Sequence, residues 1–77
     1  MKRFKIIEYK NIQVLIGWKF KKKSGYKLYY RMFINDTECI YNKFFKDLES
    51  CLNAFNNIKE KDILEFIEDN LAILEYK

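Results

Sequence analysis

Residues 12–34 read IQVLIGWKFKKKSGYKLYYRMFI, and their alternation decides the fold. Ile12, Val14, Ile16, Trp18 and Phe20 occupy every second position of the first half. Leu28, Tyr30, Met32 and Ile34 do the same in the second half. Successive side chains of a strand point to opposite faces, so each set shares one face. β-Branched and aromatic residues suit a pleated, half-buried surface. Between the halves, Ser24-Gly25 supplies a turn, because glycine accepts the positive φ of a tight reversal. The stretch is therefore a long β-hairpin joined over Lys21–Gly25.

The hairpin's two faces differ in kind. One is almost wholly apolar and is expected to face the core. All of Trp18's alternate-position neighbours are apolar, which places its ring there. The other mixes Leu15, Tyr29 and Phe33 with Lys19, Lys21, Lys27 and Arg31. Rings interleaved with cations can stack bases while binding phosphates. Such a face is also what a partly solvated sheet looks like when lysine stems lie across rings. Lys21, Lys22 and Lys23 are expected to project from the hairpin tip. Lysines there can contact phosphates without reading sequence.

Outward from the hairpin, residues 3–9 form a short strand with Phe4 and Ile6 on one face, and Lys10-Asn11 turns it into the hairpin. Asn35-Asp36 marks a further tight turn, because asparagine tolerates the left-handed conformation. Residues 37–41 return as another strand. After Asn42 the spacing of Phe44, Leu48, Cys51, Leu52 and Phe55 is helical. Asp47 and Glu49 complement that helix's dipole, and Asn56-Asn57 stops it. A second helix is expected to start near Asp62, with Asp62 and Glu65 at capping-box spacing. Its stripe is Ile63, Phe66, Ile67, Leu71 and Leu74. Ile73–Lys77 nearly repeats Ile6–Lys10, so a terminal strand is the alternative ending. The expected fold class is α+β: an antiparallel meander of three to four strands with two C-terminal helices packed on one face, forming one domain over residues 1–77.

Composition bounds the function. The chain has 77 residues, near the size limit for folding without staples, and 49% are apolar, enough for a core. Lys, Asn, Ile, Phe and Tyr are abundant and have mainly A/T-rich codons, as in many low-GC bacteria and their phages. Residues 1–46 carry 12 Lys/Arg against 3 Asp/Glu, whereas residues 47–77 carry 3 Lys against 8 Asp/Glu. A basic sheet end and an acidic helical end follow. Cys39 and Cys51 are too few for a disulfide framework. With a basic start but no long apolar region after it, they are expected to be reduced, buried thiols in a cytoplasmic protein. No stretch approaches the roughly 18–20 apolar residues that span a bilayer.

Catalytic signals are missing. Without histidine there is no His-based triad or proton shuttle, and two cysteines do not complete a structural zinc site. Gly17 through Ser24 resembles a phosphate loop, but Lys22 replaces its second glycine and a strand runs through it. Asp62, Glu65, Glu68 and Asp69 suit a solvated helix face better than a cation site. The expectation is a non-enzymatic binding protein without cofactor. Its class is a phage or mobile-element modulator or inhibitor, for example of host defence, acting on a protein or nucleoprotein complex. The alternatives are direct nucleic-acid binding and a homo-oligomeric structural subunit such as a dimer. The candidate binding residues are Lys19, Lys21, Lys22, Lys23, Lys27, Tyr29, Arg31 and Phe33.

Overall fold

The computed structural model describes the backbone of residues 2–75 and the side-chain surroundings of residues 2–73. Four strands are followed by two helices: β1 (Phe4–Tyr9), β2 (Ile12–Lys21), β3 (Gly25–Ile34), β4 (Thr37–Phe45), α1 (Leu48–Asn56) and α2 (Glu60–Glu75). The strands form one antiparallel sheet in the order β1-β2-β3-β4. This is the expected α+β meander.

Turn chemistry sets the register. Lys10 and Asn11 have φ of 46° and 69°, and Asn35 and Asp36 have 48° and 66°. Positive φ at both central residues matches the right-handed twist of the flanking strands. A two-residue turn makes its flanking residues direct partners, so Tyr9 faces Ile12 and Ile34 faces Thr37. Because Ile12 and Ile34 lie on the apolar face, Lys5, Ile7, Tyr9, Cys39 and Tyr41 must share it. Phe4, Ile6, Glu38 and Ile40 are driven to the opposite face. The β2–β3 turn closes with Lys21 against Gly25, whose φ is 91°.

Both helices lie on the apolar face. The core holds Val14, Ile16, Trp18, Leu28, Tyr30, Met32, Ile34 and Cys39 from the sheet. Cys51 and Phe55 of α1, with Ile63, Phe66 and Ile67 of α2, complete it. Trp18 is buried, and its indole N–H donates to the Lys2 carbonyl at 2.9 Å. Cys39 and Cys51 are both free and buried, and burial pushes the Cys51 thiol up. Lys5 reaches inward from β1: its ammonium donates to the Phe55 carbonyl at 2.8 Å and sits 4.6 Å from the Phe55 ring centre. No basic residue lies in the last turn of α1, so Lys5 supplies the cation that the carbonyl end of a helix favours.

Several boundaries differ from the sequence expectation. β4 continues to Phe45, so Phe44 is a strand residue rather than part of the first helical stripe. Phe20 lies on the apolar face but beyond the reach of the helices, and is exposed. α2 begins at Glu60, one turn before the Asp62–Glu65 pair would start it. Asp62 is not the N-cap; its carboxylate accepts from the Lys59 backbone N–H at 2.9 Å, which is the reach-back half of a capping box. At the other end α2 agrees with the expected stripe: residues 73–75 are helical, and the alternative terminal strand does not form over them. The side chain of Leu74, and Tyr76-Lys77, lie outside the described residues.

α1 begins at Leu48, one turn later than the helical spacing from Phe44 suggested. Asp47 caps it by accepting from the Ser50 N–H at 2.9 Å and the Ser50 hydroxyl at 3.0 Å. These bonds hold the Asp47 carboxyl below the usual carboxylate range. The capping contribution is therefore complete above the ordinary aspartate value and is lost as pH falls through the depressed native one. The stability gap between the wild type and Asp47→Ala should thus shrink in acid, as read by urea denaturation at a series of pH values. Phe55→Ala should cost about 3–5 kcal/mol in the same assay. That is a large share of the roughly 4–12 kcal/mol expected for a chain of this size.

Candidate binding face

The helices cover one side of the sheet, and the other is bare. Alternation places Phe4, Ile6 and Glu8 of β1 there, with Gln13, Leu15, Gly17, Lys19 and Lys21 of β2. β3 contributes Lys27, Tyr29, Arg31 and Phe33, and β4 contributes Glu38, Ile40, Asn42 and Phe44. Five large apolar side chains on this face, Phe4, Ile6, Phe33, Ile40 and Phe44, are 51–60% exposed. Exposed apolar side chains gathered on one face mark interaction sites.

The predicted site residues divide into three places. Lys19, Lys27, Tyr29 and Arg31 meet. With Ile40 and Asn42 they line a shallow hollow of about 270 Å³. Lys21, Lys22 and Lys23 stand exposed at the hairpin tip. Phe33 lies six residues along β3 from Lys27, about 20 Å at the usual strand rise. It lines a second hollow of about 240 Å³ with Ile6, Gln13, Leu15, Arg31 and Met32. Arg31 borders both hollows. The bare face is thus cationic toward the tip, where Phe44 stands beside Lys27, and mixed farther away, where Ile6, Leu15, Arg31 and Ile40 form one row and Phe33 faces Glu38.

Two local arrangements organise the cationic end. Tyr29 is the direct partner of Gly17, and its side chain lies across that glycine. A methyl group built on Gly17 would run into the Tyr29 hydroxyl and ring. Lys19 and Lys27 are also direct cross-strand partners. Their ammonium groups lie 5.9 and 5.6 Å from the centre of the Tyr29 ring. Like charges directly opposite each other destabilise a sheet by roughly 0.2–1 kcal/mol. Burial chiefly, with the charges of Lys19, Lys21 and Arg31, lowers the Lys27 ammonium pKa. Arg31 is held by Glu38: its Nε and Nη2 donate to one carboxylate oxygen at 3.0 and 2.8 Å.

Phe4, Ile6, Ile40, Asn42 and Phe44 were missed as site residues. The signal for Ile40, Asn42 and Phe44 was present, because alternation continues through residues 38–44; the helical spacing from Phe44 onward obscured it. On the other side of the protein, Asp62, Glu65 and Asp69 border a hollow with Tyr30, Tyr41 and Phe66. Burial, then the nearby Asp62 carboxylate, raises the Tyr30 phenol. Among the described residues no group of three acids, cysteines or histidines is placed to hold a metal ion. No described helix is long and apolar enough to cross a membrane.

No protein-family model matches the chain, and neither a curated protein nor a solved structure is significantly similar to it. The site is therefore argued from its own chemistry. Gly17→Ala tests the geometry. The added methyl should displace the Tyr29 ring, seen as loss of nuclear Overhauser contacts between the ring and residue 17. The circular dichroism spectrum should stay that of the wild type, because the group that yields is the far end of a side chain.

Proposed function

We propose that this is a non-enzymatic modulator that binds a protein or nucleoprotein complex through the bare face of its sheet. The observation that carries the reading is that this face joins exposed apolar side chains to a cluster of lysines. Phe4, Ile6, Leu15, Phe33 and Ile40 offer the apolar and aromatic contacts that form the centres of protein interfaces. Toward the tip, Lys19, Lys21, Lys22, Lys23 and Lys27 offer the cations that dominate nucleic-acid contacts. A surface that joins both suits a target in which protein and nucleic acid lie side by side. Small size, A/T-biased composition and absence of histidine fit an inhibitor encoded by a low-GC phage or mobile element. Interference with host defence is the role such a molecule suits, and the host cytoplasm is where it would act.

Specificity in this reading comes from the apolar side chains, and the lysines add attraction and salt sensitivity. The wild type should retain a host complex from a low-GC bacterial lysate. Ile40→Asp and Phe33→Asp should lose it, because each would force a carboxylate into the interface, while their circular dichroism stays unchanged. Bare DNA and RNA should bind weakly in fluorescence anisotropy across a salt series. Two phosphate contacts correspond to a log–log slope of only about −1.4 on single strands. A slope several times steeper, lost on replacing Lys21, Lys22 and Lys23 with Glu, would reassign the protein as a direct nucleic-acid-binding module. A mass that rises with concentration, abolished by Ile40→Asp, would reassign the face to a homo-oligomer.

A further inference from the structure

The register forces Lys19 and Lys27 to face each other on the uncovered side of the sheet. Among the described residues, the one ion pair is Arg31–Glu38, so neither lysine has a carboxylate to offset it. Both ammonium groups instead converge near the Tyr29 ring, which lies across Gly17. Gly17 has no side chain to lift the ring, so Tyr29 lies low against the strand. Asn42 and Arg31 line the same hollow. A fold with no use for this juxtaposition would gain stability by changing either lysine to an acid.

We infer that this hollow is a subsite for a phosphate ester carrying a planar base. The two ammonium groups hold the phosphate and Tyr29 stacks the base. The inference rests on the reading of the bare face as the binding surface and names the ligand of its cationic end. A nucleotide unit has this chemistry, whether free or as one residue of a single strand. A paired duplex hides its base faces and offers only the phosphate. An ammonium pair neutralises a phosphate that one lysine alone would hold weakly, and base–aromatic stacking tolerates any sequence.

The test is a nuclear magnetic resonance titration of the 15N-labelled protein at low salt with three probes: inorganic phosphate, adenosine monophosphate and an eight-residue oligothymidylate. Saturable shifts are expected at the amides of Gly17, Lys19, Lys27 and Tyr29. The nucleotide should bind about ten-fold tighter than inorganic phosphate, the advantage that a stacked base confers. An oligomer tighter than the mononucleotide assigns the ligand to a single strand; equal or weaker binding assigns it to a free nucleotide. Tyr29→Leu should abolish the advantage of the nucleotide over phosphate. Lys27→Glu should abolish binding of all three while raising the melting temperature, because it replaces a repulsive pair with an attractive one. Absence of saturable shifts at these amides with every probe overturns the subsite. So does a Lys27→Glu variant that still binds. Equal affinity for phosphate and nucleotide overturns the stacking role of Tyr29. Because the titration uses no partner, failure here with capture of a host complex intact removes the subsite alone.

Discussion

A two-residue reversal makes the residues on either side of it cross-strand partners, and partners share a face. Everything else in this protein depends on that parity. Lys10-Asn11 and Asn35-Asp36 are such reversals, with left-handed φ at all four residues. They lock the outer strands to the central hairpin, whose own pattern leaves no doubt about its apolar side. Adding one residue to either turn would flip an outer strand and bury a different set of side chains. Parity explains why Lys5 and Cys39 face the helices while Phe4, Ile6 and Ile40 face away.

The second constraint is area. Two helices of 9 and 16 residues cover one side of a four-stranded sheet and leave the other without a layer. The uncovered side is not written as an ordinary solvated face. It keeps five large apolar side chains exposed, sets two lysines against each other and lays a tyrosine over a glycine. Each of these carries a cost in stability or solubility that a polar side chain would remove. They lie on one surface, where a common benefit can offset them all. Binding is the benefit proposed above for that surface.

Charge follows the same division. The lysines of the hairpin lie on the bare face or at its tip, and Asp62, Glu65, Glu68 and Asp69 of α2 lie on the far side of the core. A field across the thickness of the molecule results, with its positive side at the bare face. Arg31 moderates this field, because Glu38 holds its guanidinium along the sheet between the two hollows.

The alternation of residues 12–34 determined the central hairpin by itself, and the Asn-containing pairs determined the turns around it. From these the meander, its core face and the burial of Trp18 follow, because the periods of strand and turn are local properties. The helices were legible from their stripes, but their edges were not. Phe44 satisfies both a strand and a helical period, and only pairing with Lys27 of β3 settles it. Asp62 and Glu65 mimic a helix start, whereas the chain uses Asp62 one turn earlier, on the Lys59 amide. The candidate site was legible in part. Lys19, Lys27, Tyr29 and Arg31 stood out as one alternating set, while Phe33 proved to belong to a separate hollow. Only the tertiary structure decided which end of the apolar face the helices reach, that Phe20 is left outside, and that Lys5 donates to the carbonyl end of α1. Those outcomes depend on how two amphipathic helices fit one twisted sheet, and that fit involves residues up to 50 positions apart.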